Sequence, residues 1–527
     1  FGYDGAGNLT RHTDRKGQVA TFSYDALNRR TGASYADGTS TSFAYDAAGR
    51  LTVASDSVGG TMQNQYDTLD RLTAQSTGLG TISYQYDALG RRTSMQAPGQ
   101  APVTYGYDAA SRLTAITQGS QLVSLNYDAT GRRTRLILPN GVATEYGYDA
   151  ASRLTAQIYR NTAGPLGDLT YQYDAAGNRI AVGGSFARTL LPDPVATASY
   201  DPANRQLGFG DKQMTFDANG NLTSLLGSDG TMSFTWDARN RLAGVRNAAT
   251  TSGFVYDPLG RRIAKRVNDA VTQHVYDGLD IKQQVDSLGM TTYLRSLNID
   301  ELLGWTGSAG SFFSLADALG STLAVTNVTG GVATEYRYDP FGTTVSTDPT
   351  FLNSFQYTGR ENDGVGGLYY YRARYYHPSL GRFISEDPRG LLAGDPNIFA
   401  YVRNNPIRFM DPLGLEKRTA PVSTTPLVFF GVQASAFLGE LFPSGSRSVG
   451  AGKEVTLGLV IDPSTGAIKA FKSVGVARPD EPDDVVAGAN IGLGPVVGLF
   501  GGPMSSFFGE ATEETLTVPP PISWTPG

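Results

Sequence analysis

The chain has 527 residues, of which 17% are charged, and carries a formal net charge of −6 at pH 7. That length exceeds one ordinary hydrophobic core, so several domains or a repeat array is expected. No basic block is present to release counterions from phosphate, so no nucleic-acid partner is expected, and the lack of cysteine excludes disulfide scaffolds, thiolate metal sites and cysteine nucleophiles.

The first residues, "FGYDGAGNLT", lie inside a repeat, so the chain is expected to be a fragment with any targeting signal upstream. Tyr-Asp recurs at Tyr3, Tyr24, Tyr45, Tyr66, Tyr86, Tyr107, Tyr127, Tyr148, Tyr173, Tyr200, Tyr256 and Tyr276, mostly in steps of 20 or 21 residues. Phe216-Asp217 and Trp236-Asp237 keep the phase. The unit reads Y-D-x-x-G/N-R-L/R-T. It predicts one β-hairpin per repeat: Asp accepts turn N–H groups, and Gly49 or Asn28 takes the left-handed angle. Tyr and Thr suit the flanking strands. One hairpin cannot bury its own apolar face, so neighbours must pair edge to edge into a continuous sheet. A propeller blade needs about twice this period, and a helix needs a 3.6-residue spacing that is absent.

The array is expected over residues 1–292, with irregular units over 293–337 and a distinct segment over 338–415. Within that segment Tyr369, Tyr370, Tyr371, Arg372, Arg374, Tyr375 and Tyr376 form a run. Alternation along a strand puts tyrosines on both faces, as in a strand buried on each side. Arg–Tyr stacking inside a packed plug is favoured over a ligand-binding surface.

The runs "YDALGRRT", "YDAAGRLT" and "YDPLGRRI" resemble the YD, or Rhs, repeat family. "YRYDPFG", "QYTGRENDGVGGLYYYRARYYHPSLGRFISEDPRG" and "NIFAYVRNNPIRFMDPLGL" resemble its repeat-associated core. The resemblance implies an all-β fold in which a spiralling sheet of hairpins forms a hollow shell, plugged by the core. It also implies a variable C-terminal segment held inside, and kinship with toxin-complex C subunits and teneurin shells.

Two near-identical pentapeptides, Asp387-Pro388-Arg389-Gly390-Leu391 and Asp411-Pro412-Leu413-Gly414-Leu415, read in isolation as β-turns. Composition changes abruptly after the second. All 28 Tyr and all 3 His precede residue 416, and the 112 residues after it contain neither. In the family the closing motif marks self-cleavage, which places the scissile bond at Leu415–Glu416. The resemblance then makes Asp387 and Asp411 a carboxylate pair with Arg382 as basic partner. Pro412, Leu413 and Gly414 complete the motif. Two carboxylates forced together share a proton, so one can act as acid while the other activates water. The enzyme expected is a single-turnover aspartic autoprotease without metal or cofactor. Glu386 is an alternative acid; Asp395 is assigned a turn, and His12, His274 and His377 structural roles.

Residues 416–527 are expected to be a β-rich, toxin-type cargo. "KEVTLGLVIDPSTGAIKAFKSVGV" reads as a hairpin turning at Asp462–Gly466. Two uncharged runs, at 419–439 and 485–509, have the length of a membrane span, but the second holds seven Gly and two Pro, which disfavours a spanning helix. A membrane is one candidate target of the cargo. The expected protein is secreted or on the cell surface and acts in interbacterial competition. Its partners would be its own cargo, an immunity protein and a secretion-system adaptor. The rival reading is a cell-surface adhesion protein whose repeats bind carbohydrate and undergo no processing.

Overall fold

Each Tyr-Asp repeat folds as one antiparallel hairpin. In Ser40–Tyr45 and Leu51–Asp56, Asp46 Oδ1 accepts the N–H groups of Ala48 and Arg50, each at 3.0 Å. The Asp46 carbonyl takes the Gly49 N–H, and Gly49 sits at φ +83°. Asn28 fills the same position at φ +59°. These angles are the ones a tight hairpin loop demands and the ones Gly and Asn tolerate best. Along Ser40–Tyr45, Thr41 and Phe43 are buried while the residues between them are exposed. That is the period-2 pattern of a half-buried strand.

The computed structural model describes residues 1–192 and 194–415, the strand Arg418–Thr419, and the strands Lys453–Ile461 and Ile468–Val476. Two units are distinguished, Phe1–Ser446 and Arg447–Gly527. In the first, the hairpins join into two linear meanders. One has 18 strands, from Gly2–Tyr3 to Arg179–Gly183; the other has 16, from Ala198–Tyr200 to Thr344–Ser346. The register slips at the repeat tyrosine of most hairpins, so that Ala44 faces Val53 but Tyr45 faces Leu51. A bulge raises local twist, and one bulge per unit on the same side coils the sheet.

The irregular units expected over 293–337 belong to the second meander. The first meander ends at Gly183, and the second runs through 293–337 without interruption to Ser346. The hairpin persists there because Asp317 still accepts the Leu319 and Ser321 N–H groups at 2.9 and 2.8 Å, although Ala316 stands where a tyrosine would mark the unit.

The buried faces of the two meanders meet in one apolar cluster, in which Ile82, Tyr105, Ile116 and Tyr159 pack with Leu303, Phe313 and Ala324. Ion pairs, one buried and one half-buried, cross the same junction. Arg239 and Asp56 approach to 2.5 Å, and Arg92 and Asp277 to 2.7 Å.

The segment after Ser346 forms a small four-stranded sheet from Glu361–Asn362, Tyr369–Tyr371, Arg374–His377 and Arg382–Phe383. Both its faces are buried, as alternation predicted. Tyr370 and Tyr375 pack on Leu222, Phe254 and Tyr256 of the second meander. Tyr369, Tyr371 and Tyr376 join Tyr357, Phe383 and Tyr401 on the opposite side.

In the second unit, Lys453–Ile461 and Ile468–Val476 pair antiparallel, with Val455 opposite Val474 and Leu459 opposite Ala470. The expected hairpin is therefore present. Its turn at Asp462–Gly466, the "RPDEPDD" loop and the two uncharged runs lie outside the described residues.

Candidate active site

Both Asp-Pro pentapeptides are turns. The Asp387 carbonyl accepts the Gly390 N–H at 2.8 Å, and the Asp411 carbonyl accepts that of Gly414 at 3.2 Å. Each aspartate spends one carboxylate oxygen on its own turn. Asp387 Oδ1 accepts the Arg389 N–H at 2.8 Å, and Asp411 Oδ1 accepts the Leu415 N–H at 3.0 Å. The other oxygens converge. Asp387 Oδ2 and Asp411 Oδ2 lie 2.9 and 3.4 Å from the same nitrogen, Arg374 Nη2. All three side chains are at most 4% exposed.

Arg374 opens the strand Arg374–His377, and its guanidinium lies 3.6 Å over the Phe383 ring. Its Nε donates to the Gly414 carbonyl at 2.5 Å, and its Nη1 to the Ile398 carbonyl at 3.0 Å. Burial pulls its pKa down, against the opposing fields of Asp387, Asp411 and Asp395. Arg374 thus ties the two turns together and touches the backbone one residue before Leu415.

The two glycines of the matching motifs are not equivalent. Gly414 sits at φ +67°, and a Cβ there would lie 2.4 Å from the Tyr371 carbonyl oxygen. Gly390 also has positive φ, at +57°, but its missing side chain faces open space. The closing motif is therefore docked onto the Tyr371–Arg374 turn. The carbonyls of Pro412, Leu413 and Gly414 accept in succession from Arg372 Nη1, the Ala373 N–H and Arg374 Nε.

A cavity of about 30 Å³ opens at this junction, lined in part by Arg374, Asp387, Asp395, Asn397, Asp411 and Leu415. That volume admits a water. Two carboxylates and one guanidinium thus meet at its edge.

Arg382 was expected as the basic partner of the two carboxylates, and the cation that contacts both is Arg374. Arg382 Nη2 donates to the Asn204 carbonyl at 2.9 Å and to Asn397 Oδ1 at 3.2 Å. The reason is strand alternation: Phe383 lies under Arg374, so the residue before it on the strand faces away. Arg382 reaches the cavity only through Asn397. Glu386 lies elsewhere, paired with Arg15 at 2.5 Å. Asp395 makes its expected turn, with Oδ1 accepting the Asn397 N–H at 2.9 Å, but it also lines the cavity. The histidines do not. His12 stacks on Phe1, His274 is buried in the second meander, and His377 contacts Ser379. Glu416, beyond Leu415, lies outside the described residues. Among the described residues no cluster of His, Cys, Asp and Glu has the form of a metal site.

Sequence reading missed Arg374 because it stands in a run of arginines and tyrosines that stacking already explained. Its signal was positional: it is the first residue of the strand onto which the second Asp-Pro turn folds.

Comparison with known proteins agrees with this architecture. The family profile described as RHS Repeat matches residues 3–40, 34–61 and 66–102. The chain is 29% identical over 261 residues to the tRNA3(Ser)-specific nuclease WapA of Bacillus spizizenii, covering 47% of this chain and 11% of that protein. It is 42% identical over 91 residues to Toxin subunit YenC2 of Yersinia entomophaga, covering 16% of this chain and 9% of that one. The chain thus spans only a small part of the curated relatives it matches. The crystal structure of TcdB2-TccC3 superimposes with a TM-score of 0.55 at 18% identity, covering 78% of this chain and 29% of that one, which assigns the fold of a coiled hairpin shell. The profile described as Teneurin YD-shell matches residues 141–407, just over half of the sequence, and the chain therefore belongs to the Teneurin YD-shell family.

Proposed function

We propose that the chain is part of a toxin-type shell whose core hydrolyses its own backbone at Leu415–Glu416, freeing residues 416–527 as cargo. The observation that carries this reading is the meeting of Asp387 and Asp411 on one nitrogen of Arg374, in a buried cavity that Leu415 also lines. One carboxylate acts as base and takes a proton from a water in the cavity. The resulting hydroxide adds to the Leu415 carbonyl carbon, and the other carboxyl, initially protonated, polarises the carbonyl oxygen. Collapse breaks the C–N bond, the proton passes to the Glu416 nitrogen, and a Leu415 carboxylate and a free amine result. Arg374 holds both acids and the Gly414 carbonyl in place. The reaction is intramolecular and happens once per chain, so proximity supplies much of the rate.

The names of the relatives, a toxin subunit and a tRNA-specific nuclease among them, favour a toxin role of the whole protein over the adhesion reading. The repeats favour it too. Their tyrosine hydroxyls are spent on backbone carbonyls and their ring faces are covered by arginines, which leaves little aromatic surface to stack on sugars.

Intact-mass measurement and N-terminal sequencing of the full chain test the proposal. Wild type should yield a fragment beginning at Glu416, whereas Asp387→Asn and Asp411→Asn should each remain one chain. A wild type that stays whole, or an Asp→Asn variant that still cleaves, overturns it.

A further inference from the structure

Arg372 lies outside the cavity, yet it is bonded to three separate segments. Its Nε donates to the Leu279 carbonyl at 3.2 Å. Its Nη2 donates to Asp280 Oδ1 at 2.9 Å and to Asp300 Oδ1 at 2.6 Å, and its Nη1 to Asp300 Oδ2 at 3.0 Å. The same Nη1 also donates to the Pro412 carbonyl. Leu279, Asp280 and Asp300 belong to the second meander, and Pro412 to the closing motif.

Its backbone is costly. Arg372 and Ala373 form the two-residue turn between Tyr371 and Arg374, and Arg372 takes φ +56°. Such a turn ordinarily has Gly or Asn at a positive φ, and a larger residue there is tolerated where its side chain is required. Asp300 is further fixed by Arg360 at 2.5 Å, so the fork that holds Arg372 is itself rigid.

We propose that Arg372 is a positioning residue that makes cleavage conditional on the core being seated on the second meander. Asp280 and Asp300 aim the guanidinium, the guanidinium fixes Pro412, and that in turn sets Leu415 against the two catalytic carboxylates. An unseated core lacks this clamp and leaves the bond intact, so the cargo is freed only after the sheet that carries the core has formed. This inference rests on the cleavage proposed above, but it fails separately: wild-type cleavage tests that reaction, and the Arg372 variants test the clamp.

The experiment is pulse–chase synthesis of the full chain in a cell-free system, following both release of the C-terminal fragment and trypsin protection of the folded core. Wild type, Arg372→Lys and Arg372→Ala are compared, the last with and without millimolar guanidinium. A lysine reaches one acceptor where the fork reaches several. The expected result is that both variants fold to the protected state but cleave at least tenfold more slowly, with guanidinium speeding Arg372→Ala alone. Cleavage of either protected variant at the wild-type rate overturns the proposal. So does a rate that falls only in proportion to the protected fraction, which is what a purely structural role predicts.

Discussion

The hydroxyl of Tyr45 donates at 2.9 Å to the carbonyl of Arg30, which belongs to the preceding repeat. Tyr66 does the same to Leu51 and Tyr107 to Arg92. The arginine that follows each turn reaches the other way. Arg50 holds its own Asp46 at 2.6 Å, donates to the Asp67 carbonyl of the next repeat at 2.9 Å, and lies 5.1 Å over the Tyr66 ring. Every element of the Y-D-x-x-G-R signature thus has a bond to make. Tyr107→Phe removes one half-buried hydrogen bond and should cost about 0.5–1.5 kcal/mol, read as a shift in urea midpoint with unchanged slope.

Arg374 should be the costliest single loss at the site. Arg374→Met removes the guanidinium that contacts both buried carboxylates, and breaking a buried pair costs about 3–5 kcal/mol. Denaturant titration of the full chain should show that loss, and mass spectrometry should show no cleavage. Arg382→Met, by contrast, should leave the cut site in place, since Arg382 bonds Asn204 and Asn397.

The two motif glycines should respond unequally to the same change. Gly390→Ala adds a methyl to open space and should cost about 1–2 kcal/mol for its left-handed backbone alone. Gly414→Ala adds the same cost plus a contact at 2.4 Å with the Tyr371 carbonyl, so the turn must move. Cleavage should survive in the first variant and be lost in the second, as seen on a denaturing gel.

The chain has only 3 histidines, so their imidazole signals can be followed individually by NMR. Burial holds His377 down to about 4 and His274 well below its ordinary value. Their folded pKa values lie below the unfolded ones, so the folded state binds fewer protons between them. Stability is therefore highest above about pH 6.5 and declines as pH falls toward 4. His274 and His377 should stay neutral to pH 5 in the folded protein, and His377→Asn should flatten the fall in stability between pH 6.5 and 4.

Much of this was legible in one sequence because the determinants are local. Asp46 and Gly49 lie within one turn, and the beat of Tyr-Asp exposes the register. The repeated Asp-Pro-x-Gly-Leu likewise marked two turns, whereas the pairing of Asp387 with Asp411, 24 residues on, was expected only from the family resemblance. What escaped depends on distance or on sheet geometry. The reach of Arg50 to Asp67 spans a whole hairpin. The choice of Arg374 over Arg382 turns on which face of a short strand each side chain occupies. The units past residue 292 read as irregular because Ala316 replaces the marker tyrosine while Asp317 keeps the turn.

The opposed reach of tyrosine and arginine gives the array a polarity. As the chain leaves the ribosome, a new hairpin finds the acceptor for its phenol already built, while its guanidinium must wait for a successor. Each unit can therefore latch onto finished structure one repeat at a time from the amino end, and the core follows onto a sheet whose strands are already paired.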